Sequence, residues 1–360
     1  MNNLYIGVMS GTSLDGVDIA LCEINSTSCT LVHTHEYSFP KELKESILNA
    51  ISGTITLEGL GVLDHKLGYL YADSINEFLK TYNITKENVN AIGLHGQTLW
   101  HQPQSPTPFS MQLGDANVVC AKTGIKTVAD FRRMDIANGG QGAPFAPAFH
   151  KFAFSHLGDG VAVLNIGGMA NITILGQELL GWDSGCGNVL LDYWCSESAY
   201  KPYDVDGVYA KSGELNTPLL NAMLKDEYFQ QPAPKSTGRE YFNPDWLDNI
   251  LAKFEPIQAA DIQRTLIELT ALTISNDLET REIKTVIVCG GGAKNKFLMQ
   301  RLQELNSADV KPSCDFGVDG DALEAMAFAW FAYKRLHNEK VDLKSVTGAT
   351  KNSLLGAIYG

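Results

Sequence analysis

Two stretches of this chain run through the same order of elements, and that order limits the fold more than any other feature of the sequence. Residues 4–8 (LYIGV) read as a buried strand. The strand breaks at the small-residue turn 9–16, and alternating residues 17–24 and 29–37 follow as two further strands, with helices at 41–51 and 57–82. Residues 161–165 begin a second round. A glycine turn at 166–170 separates that strand from strands at 171–175 and 179–182, and a helix opens at 189. Only the order of elements repeats; the residues do not. The pattern predicts an α/β chain in two duplicated lobes, residues 1–150 and 151–360, with room for the C-terminal helix to pack back on the first.

The remaining segments fill in this frame. A strand at 91–94 ends in His95-Gly96-Gln97-Thr98, followed by a loop carrying Pro103, Pro106 and Pro108. A helix at 117–123, a strand at 126–129 and a flexible polar loop at 138–144 complete the first half. The second half adds helices at 214–225, 244–254 and 259–278. A β-branched strand at 285–289 runs into Gly290-Gly291-Gly292-Ala293-Lys294-Asn295, and a helix opens at 296. Residues 323–336 form an apolar helix bearing one acid, Glu324.

Charge and cysteine usage exclude several classes of function. With 28 basic and 41 acidic side chains the net charge is −13 and no basic face is evident in the sequence, which argues against electrostatic binding of nucleic acid. No apolar run approaches the ~18 residues of a membrane span. The N-terminus lacks the basic region of a signal peptide. The seven cysteines are scattered, without a C-x-x-C pair, which fits reduced thiols in a cytoplasm.

Three turns rich in glycine or serine follow strands, at 9–16, 166–170 and 290–295. Each offers backbone N–H groups to a phosphate, and each is equally readable as a tight hairpin. None is a P-loop or a G-x-G-x-x-G. Near the middle of the chain, Asp183 stands in Trp182-Asp183-Ser184-Gly185-Cys186-Gly187-Asn188, between a short apolar run and the helix at 189. An acid at such a strand-to-helix turn serves as a catalytic base or as a helix cap, and the residues alone leave both open. Placed at a helix N-terminus, it is expected to have its pKa lowered by the helix dipole.

Glycine turns in two duplicated halves, with a late strand-GGG-helix, resemble the sugar kinase/Hsp70/actin (ribonuclease H-like) superfamily. There the ATP cleft lies between the lobes. The run Met9-Ser10-Gly11-Thr12-Ser13-Leu14-Asp15-Gly16-Val17-Asp18 resembles the anhydro-N-acetylmuramic acid kinase family more closely. So do Leu94-His95-Gly96-Gln97-Thr98, Ala129-Asp130-Phe131-Arg132 and Gly139-Gly140-Gln141-Gly142-Ala143-Pro144. Asn165-Ile166-Gly167-Gly168-Met169-Ala170-Asn171, Thr237-Gly238-Arg239-Glu240-Tyr241-Phe242 and Asp321-Ala322-Leu323-Glu324-Ala325 complete the set. The seven matches keep their order from one end of the chain to the other.

The resemblance implies an ATP-dependent kinase of cell-wall sugar recycling. Water adds at C1 of 1,6-anhydro-N-acetylmuramic acid, the bridge opens, and O6 takes the γ-phosphoryl group, giving N-acetylmuramic acid 6-phosphate and ADP. It places the base at Asp183, in a motif the family usually writes D-T-G-P-G-N. Here Ser184 keeps the hydroxyl, and Cys186 in place of proline is expected to loosen the turn. ATP is expected at Ser10, Gly11, Thr12, Ser13, Asp15, Asn165, Gly167, Gly168, Asn171, Gly290, Gly291, Gly292 and Asn295. The sugar is expected at His95, Gln97, Arg132 and Glu324. Residue chemistry alone leaves His95, Arg132 and Glu324 readable as structural groups, and His101, Asp115, Asp130 and Asp135 as further polar candidates.

Distant sugar kinases carry an Asp in a D-x-G-x-T turn that holds hydrated Mg²⁺. Val8 stands in that place, so Asp15, Asp18 or Asp183 would take the metal's outer shell. A cytoplasmic homodimer completes the expectation. Two other functions fit the same fold: a simple hexose or amino-sugar kinase, and a non-catalytic ATP-binding sensor.

Overall fold

A computed structural model describes residues 3–11, 14, 16–176, 178–279 and 281–360. Among these residues the strands in chain order are β1 (Leu4–Ser10), β2 (Gly16–Ile24), β3 (Cys29–Ser38), β4 (Val89–Gln102), β5 (Phe109–Leu113), β6 (Thr127–Ala129), β7 (Val161–Ile166), β8 (Met169–Leu175), β9 (Leu180–Cys186), β10 (Thr285–Cys289), β11 (Asp309–Pro312) and β12 (Ala357–Tyr359). The chain divides into two compact units, residues 1–153 with 322–360, and residues 154–321. The C-terminal 39 residues (360 − 321) thus count with the first unit, whereas the sequence reading set 151–360 in the second lobe and allowed only its last helix to return.

The first unit holds the sheet β12-β6-β4-β1-β2-β3, with β5 paired to β4. β1 runs antiparallel to β2 and parallel to β4, and β4 runs parallel to β6. The second unit holds β11-β10-β7-β8-β9. There β7 is antiparallel to β8 and parallel to β10, which is parallel to β11. The two orders, β3-β2-β1-β4-β6 and β9-β8-β7-β10-β11, are one topology used twice, the ribonuclease H-like arrangement. The duplicated order of the sequence is therefore a duplicated fold.

Each sheet is covered by a helix whose apolar residues recur at helical spacing. In Leu57–Thr81, capped by Thr56, the residues Leu63, Leu67, Tyr71, Ile75 and Phe78 are buried against the first sheet's core. Fully burying one such side chain contributes about 1.5–3 kcal/mol before entropy is counted. The helix Leu323–Leu336 crosses the same unit so closely that a Cβ on Gly7 would overlap the Ala325 carbonyl, and one on Gly93 the Phe328 carbonyl. Side chains at 7 and 93 would lift this helix, and Glu324 in its first turn, off the sheet. In the second unit, Ala259–Glu279 buries residues such as Ile262, Leu266, Leu269 and Ile274.

Several elements depart from the sequence reading. The strand expected at 91–94 continues to Gln102, because Gly96 takes φ +76 and makes a bulge: Val8 pairs with Leu94 but Ser10 with Gln97. The Pro-rich stretch is the turn of the β4–β5 hairpin. The helix Ala146–Phe154 and strand β11 were not anticipated. The loop 138–144, expected to be flexible, is tied down: Gly142 N–H donates to Asp135 Oδ2 at 2.8 Å, and Gln141 N–H to Thr347 O at 2.9 Å.

Candidate active site

In the second unit the two glycine turns pack on each other. The β7–β8 hairpin turns at Gly167 and Gly168, and its carbonyls face the start of the helix Val189–Ala199. Gly187 N–H donates to Gly168 O (2.9 Å), Asn188 N–H to Gly167 O (2.8 Å) and Val189 N–H to Gly168 O (3.1 Å). The hairpin thus supplies partners for backbone donors that a helix start leaves unsatisfied. The contact requires glycine at 187, since a Cβ there would overlap Gly167 O and lie 3.0 Å from the Met169 carbonyl carbon. The third turn closes on the same hairpin. Gly290 has φ +76, and a Cβ on it would lie 2.8 Å from Ile166 O; one on Gly291 would lie 3.5 Å from Asn188 Nδ2. Asn165 and Asn171 are register partners across β7 and β8. Asn295 is used locally: its Oδ1 accepts the Leu298 N–H at 3.0 Å and caps the helix Lys296–Leu305.

Asp183 lies inside β9, paired with Asn171 beside a bulge, five residues before Asn188 at the helix start. It is therefore no cap of that helix, and the expectation of a dipole-lowered pKa is overturned. Its Oδ2 accepts two hydrogen bonds, from Ser236 Oγ (2.8 Å) and Thr237 N–H (3.1 Å). Oδ1 carries none among the described residues. Burial raises the carboxyl's pKa, the two hydrogen bonds act against that, and the charge of Glu240 adds to the rise. The group is consequently a stronger base than an exposed aspartate. The backbone is fixed as well: Asp183 N–H donates to Lys235 O (2.9 Å), and Tyr228 Oη donates to Asp183 O (2.7 Å).

Cys186 does not loosen this segment. It pairs with Met169 in the ladder, and Thr270 Oγ1 donates to its carbonyl at 3.2 Å. Burial pushes its thiol up to about 12, so it stays protonated and unreactive.

In the first unit, two of the other three sugar candidates, His95 and Glu324, lie at Arg132. His95 Nε2 accepts from Arg132 Nε (3.2 Å) and Nη2 (2.9 Å), and Arg132 Nη1 donates to Gly142 O (2.7 Å). Burial and the adjacent guanidinium hold His95 far below its usual pKa. The ring is neutral, and with Nε2 accepting, its proton sits on Nδ1. Desolvation lowers Arg132 to about 10, and Glu324 works in the other direction. Glu324 keeps contact with solvent, yet desolvation raises its carboxyl against the pull of Arg132. His95 also packs on Phe328, its ring centroid 4.7 Å away, so the helix bearing Glu324 braces the imidazole. Gln97 is fully buried and reaches the first turn, donating from Nε2 to Gly11 O at 3.3 Å.

Ser10 turns its hydroxyl inward, within 2.8 Å of Tyr71 Oη and donating to Gly96 O at 3.3 Å. It braces the turn from below. Thr12, Ser13 and Asp15 lie outside the described residues. The remaining polar candidates have local partners. Asp135 holds Gly142 and Thr347, Asp115 caps Ala116–Thr123, Asp130 pairs with Arg133, and His101 bonds Ser110.

A sequence profile of the family described as anhydro-N-acetylmuramic acid kinase matches residues 3–360. The chain belongs to this family. It is 55% identical over 358 residues to the anhydro-N-acetylmuramic acid kinase of Sulfurovum sp. (strain NBC37-1), covering 99% of this chain and 98% of that one. It is 52% identical over 367 residues to the protein of the same name from Sulfurimonas denitrificans, with 100% of both covered. Identity to the one from Vibrio cholerae is 49% over 363 residues, covering 99% and 98%.

Within this family member, the segment 235–239 is the part of the site that sequence reading assigned no role. Ser236 and Thr237 hold Asp183, and Arg239 overlies the second turn: a Cβ on Gly168 would lie 3.3 Å from its Nε and Nη2. The motif Thr237-Gly238-Arg239-Glu240 was the available signal, but nothing in it reveals that it folds over residues 54 positions earlier. Arg239 also pulls down Asp192, which burial raises to about 6. Among the described residues no group of three or more His, Cys, Asp or Glu is placed to ligate a metal. No helix among them is long and apolar enough to cross a membrane.

Proposed function

We propose that this chain is a phosphotransferase that opens 1,6-anhydro-N-acetylmuramic acid with water and phosphorylates O6 from ATP. The observation that carries this reading is the Asp183 carboxylate: Oδ2 is held by Ser236 and Thr237, and Oδ1 has no partner among the described residues, in the unit that also holds the paired glycine turns. Oδ1 takes a proton from a water as its oxygen bonds to C1. The C1–O6 bond breaks, O6 bonds to the γ-phosphorus, and the γ-phosphorus separates from the oxygen it shared with the β-phosphate. The products are N-acetylmuramic acid 6-phosphate, ADP and the proton taken by Asp183.

Gly167, Gly168, Gly290 and Gly291 carry no side chains of their own and keep some exposure, which suits their backbone to a phosphate chain, whereas Gly292 is buried against Ile166. Arg239 supplies a cation above the hairpin for charge that develops in transfer. In the first unit, Arg132, held from behind by the buried His95, suits the oxygen-rich sugar, and Glu324 its hydroxyls or amide. Mg²⁺ would be held as a hydrated ion through water by Asp183 or Asp18, with Asp15 a further candidate. This donor set fits an ion that keeps most of its waters. When bound, the ion neutralises phosphate charge. We place the enzyme in the cytoplasm as a homodimer.

The test compares ADP release with the anhydro-sugar, with N-acetylmuramic acid and with no sugar. The reading requires release that depends on the anhydro-sugar. Preference for the open sugar would support a simple amino-sugar kinase, and sugar-independent hydrolysis would support a sensor module.

A further inference from the structure

Outside the β8–β9 ladder, the hydrogen bonds that Asp183 makes among the described residues are with Tyr228 and residues 235–237, and a buried cation fixes the latter. The Lys235 side chain is 3% exposed, with Nζ 3.6 Å from Asp277 Oδ1 and 5.1 Å from the Tyr228 ring centroid. Asp277 stands on the helix Ala259–Glu279, and its Oδ2 accepts Trp182 Nε1–H at 2.9 Å. Trp182 precedes Asp183 on β9 and is itself covered by Arg281, 4.6 Å from its ring. Tyr228, beneath the Lys235 ammonium, is the residue that binds Asp183 O. A loop is therefore locked to β9 at both its backbone and its side chain, through one carboxylate.

A buried ammonium is expensive to desolvate, and an apolar residue of similar size would fill the space with no loss of stability on general grounds. What an apolar residue lacks is direction. The ion pair allows one register of residues 235–237 against Trp182 and Asp183; neighbouring registers would leave Lys235 without Asp277.

We propose that Lys235 is a positioning residue for catalysis: its ion pair with Asp277 sets residues 235–237 so that Ser236 and Thr237 bind one oxygen of Asp183 and turn the other toward the reacting water. This rests on the reading of Asp183 as the base. Lys235 touches no substrate in this scheme and acts only through the two donors.

The test uses the full-length chain carrying Lys235→Met, Ser236→Ala and both together, with kcat and KM followed from acid to neutral pH. Other groups able to influence Asp183 are Glu240, Tyr228, Arg239 and Asp277, and all are retained in these variants. Losing donors to the ionised carboxylate raises its pKa. Lys235→Met is thus expected to move the acid limb of kcat up by roughly one to two pH units, with kcat at neutral pH falling up to about 100-fold. KM for ATP is expected to change little. Ser236→Ala moves the limb the same way by less, and adds little to Lys235→Met. A purely structural lysine would lower activity in step with the folded fraction, leave the limb in place and combine additively; that result overturns the proposal.

If Lys235→Met does not fold, Asp277→Asn replaces it. This keeps an acceptor for Trp182 and is expected to give the same limb shift, and an unmoved limb refutes the proposal equally. The underlying reading fails separately: the wild-type limb would then persist in Asp183→Asn, and both would fall.

Discussion

Replacing Asp183 by asparagine separates the chemistry of this carboxylate from its place in the fold. Asparagine keeps an oxygen that can accept from Ser236 and Thr237, and the backbone bonds to Lys235 and Tyr228 are untouched. Exchanging two charge-assisted hydrogen bonds for neutral ones costs about 2 kcal/mol, and removing a charge that burial already disfavours offsets most of it. Folding stability is therefore expected to change by about 1 kcal/mol or less. The barrier changes far more. General-base catalysis contributes about 10²- to 10⁴-fold, or about 2.7–5.5 kcal/mol at 1.36 kcal/mol per decade. Sugar-dependent ADP release should fall by that factor, while calorimetric ATP binding and thermal unfolding stay close to wild type. Since burial raises the Asp183 pKa, wild-type kcat should drop with falling pH through a limb above the usual aspartate value near 3.9, the base being lost as it protonates. Asp183→Asn should lack that limb. Turnover within about tenfold of wild type, or an acid limb that survives the substitution, would refute the assignment.

Two further substitutions probe the phosphate side. Gly187→Ala forces the hairpin away from the helix start; overpacking of this kind costs about 1–3 kcal/mol, and the expected sign is a raised KM for ATP with the sugar KM nearly unchanged. Arg239→Gln removes the cation above Gly168 and should lower kcat by about tenfold or more without changing thermal stability, measured by steady-state kinetics beside an unfolding scan.

The repeated order of elements was readable because each strand and helix carries its own local period, and the two sheets reproduce that order. What escaped the sequence was produced by contacts between distant segments. The strand at 91–94 was cut short because Gly96 looks like a turn, while in the sheet it is a bulge that β1 absorbs. Asp183 reads as a helix cap until β8 pairs with it and extends β9 as far as Cys186. The grip of Ser236 and Thr237 on its carboxylate spans 53 and 54 residues, and the Arg132–His95 pair spans 37, so no local spacing announces either. Polar partners of this kind are chosen by topology. The loop 138–144 shows the converse: its glycines and polar residues suggest mobility, and one buried carboxylate, Asp135, removes it.

The measurement closest to the central claim is a single reaction of the wild-type enzyme with the anhydro-sugar and Mg·ATP in ¹⁸O-labelled water. If Asp183 activates water toward C1 while O6 takes the phosphoryl group, the 6-phosphorylated product carries one ¹⁸O at C1 and none in the newly transferred phosphoryl group. A phosphorylated product without ¹⁸O at C1, or with ¹⁸O in its phosphoryl group and none in the sugar, would contradict it.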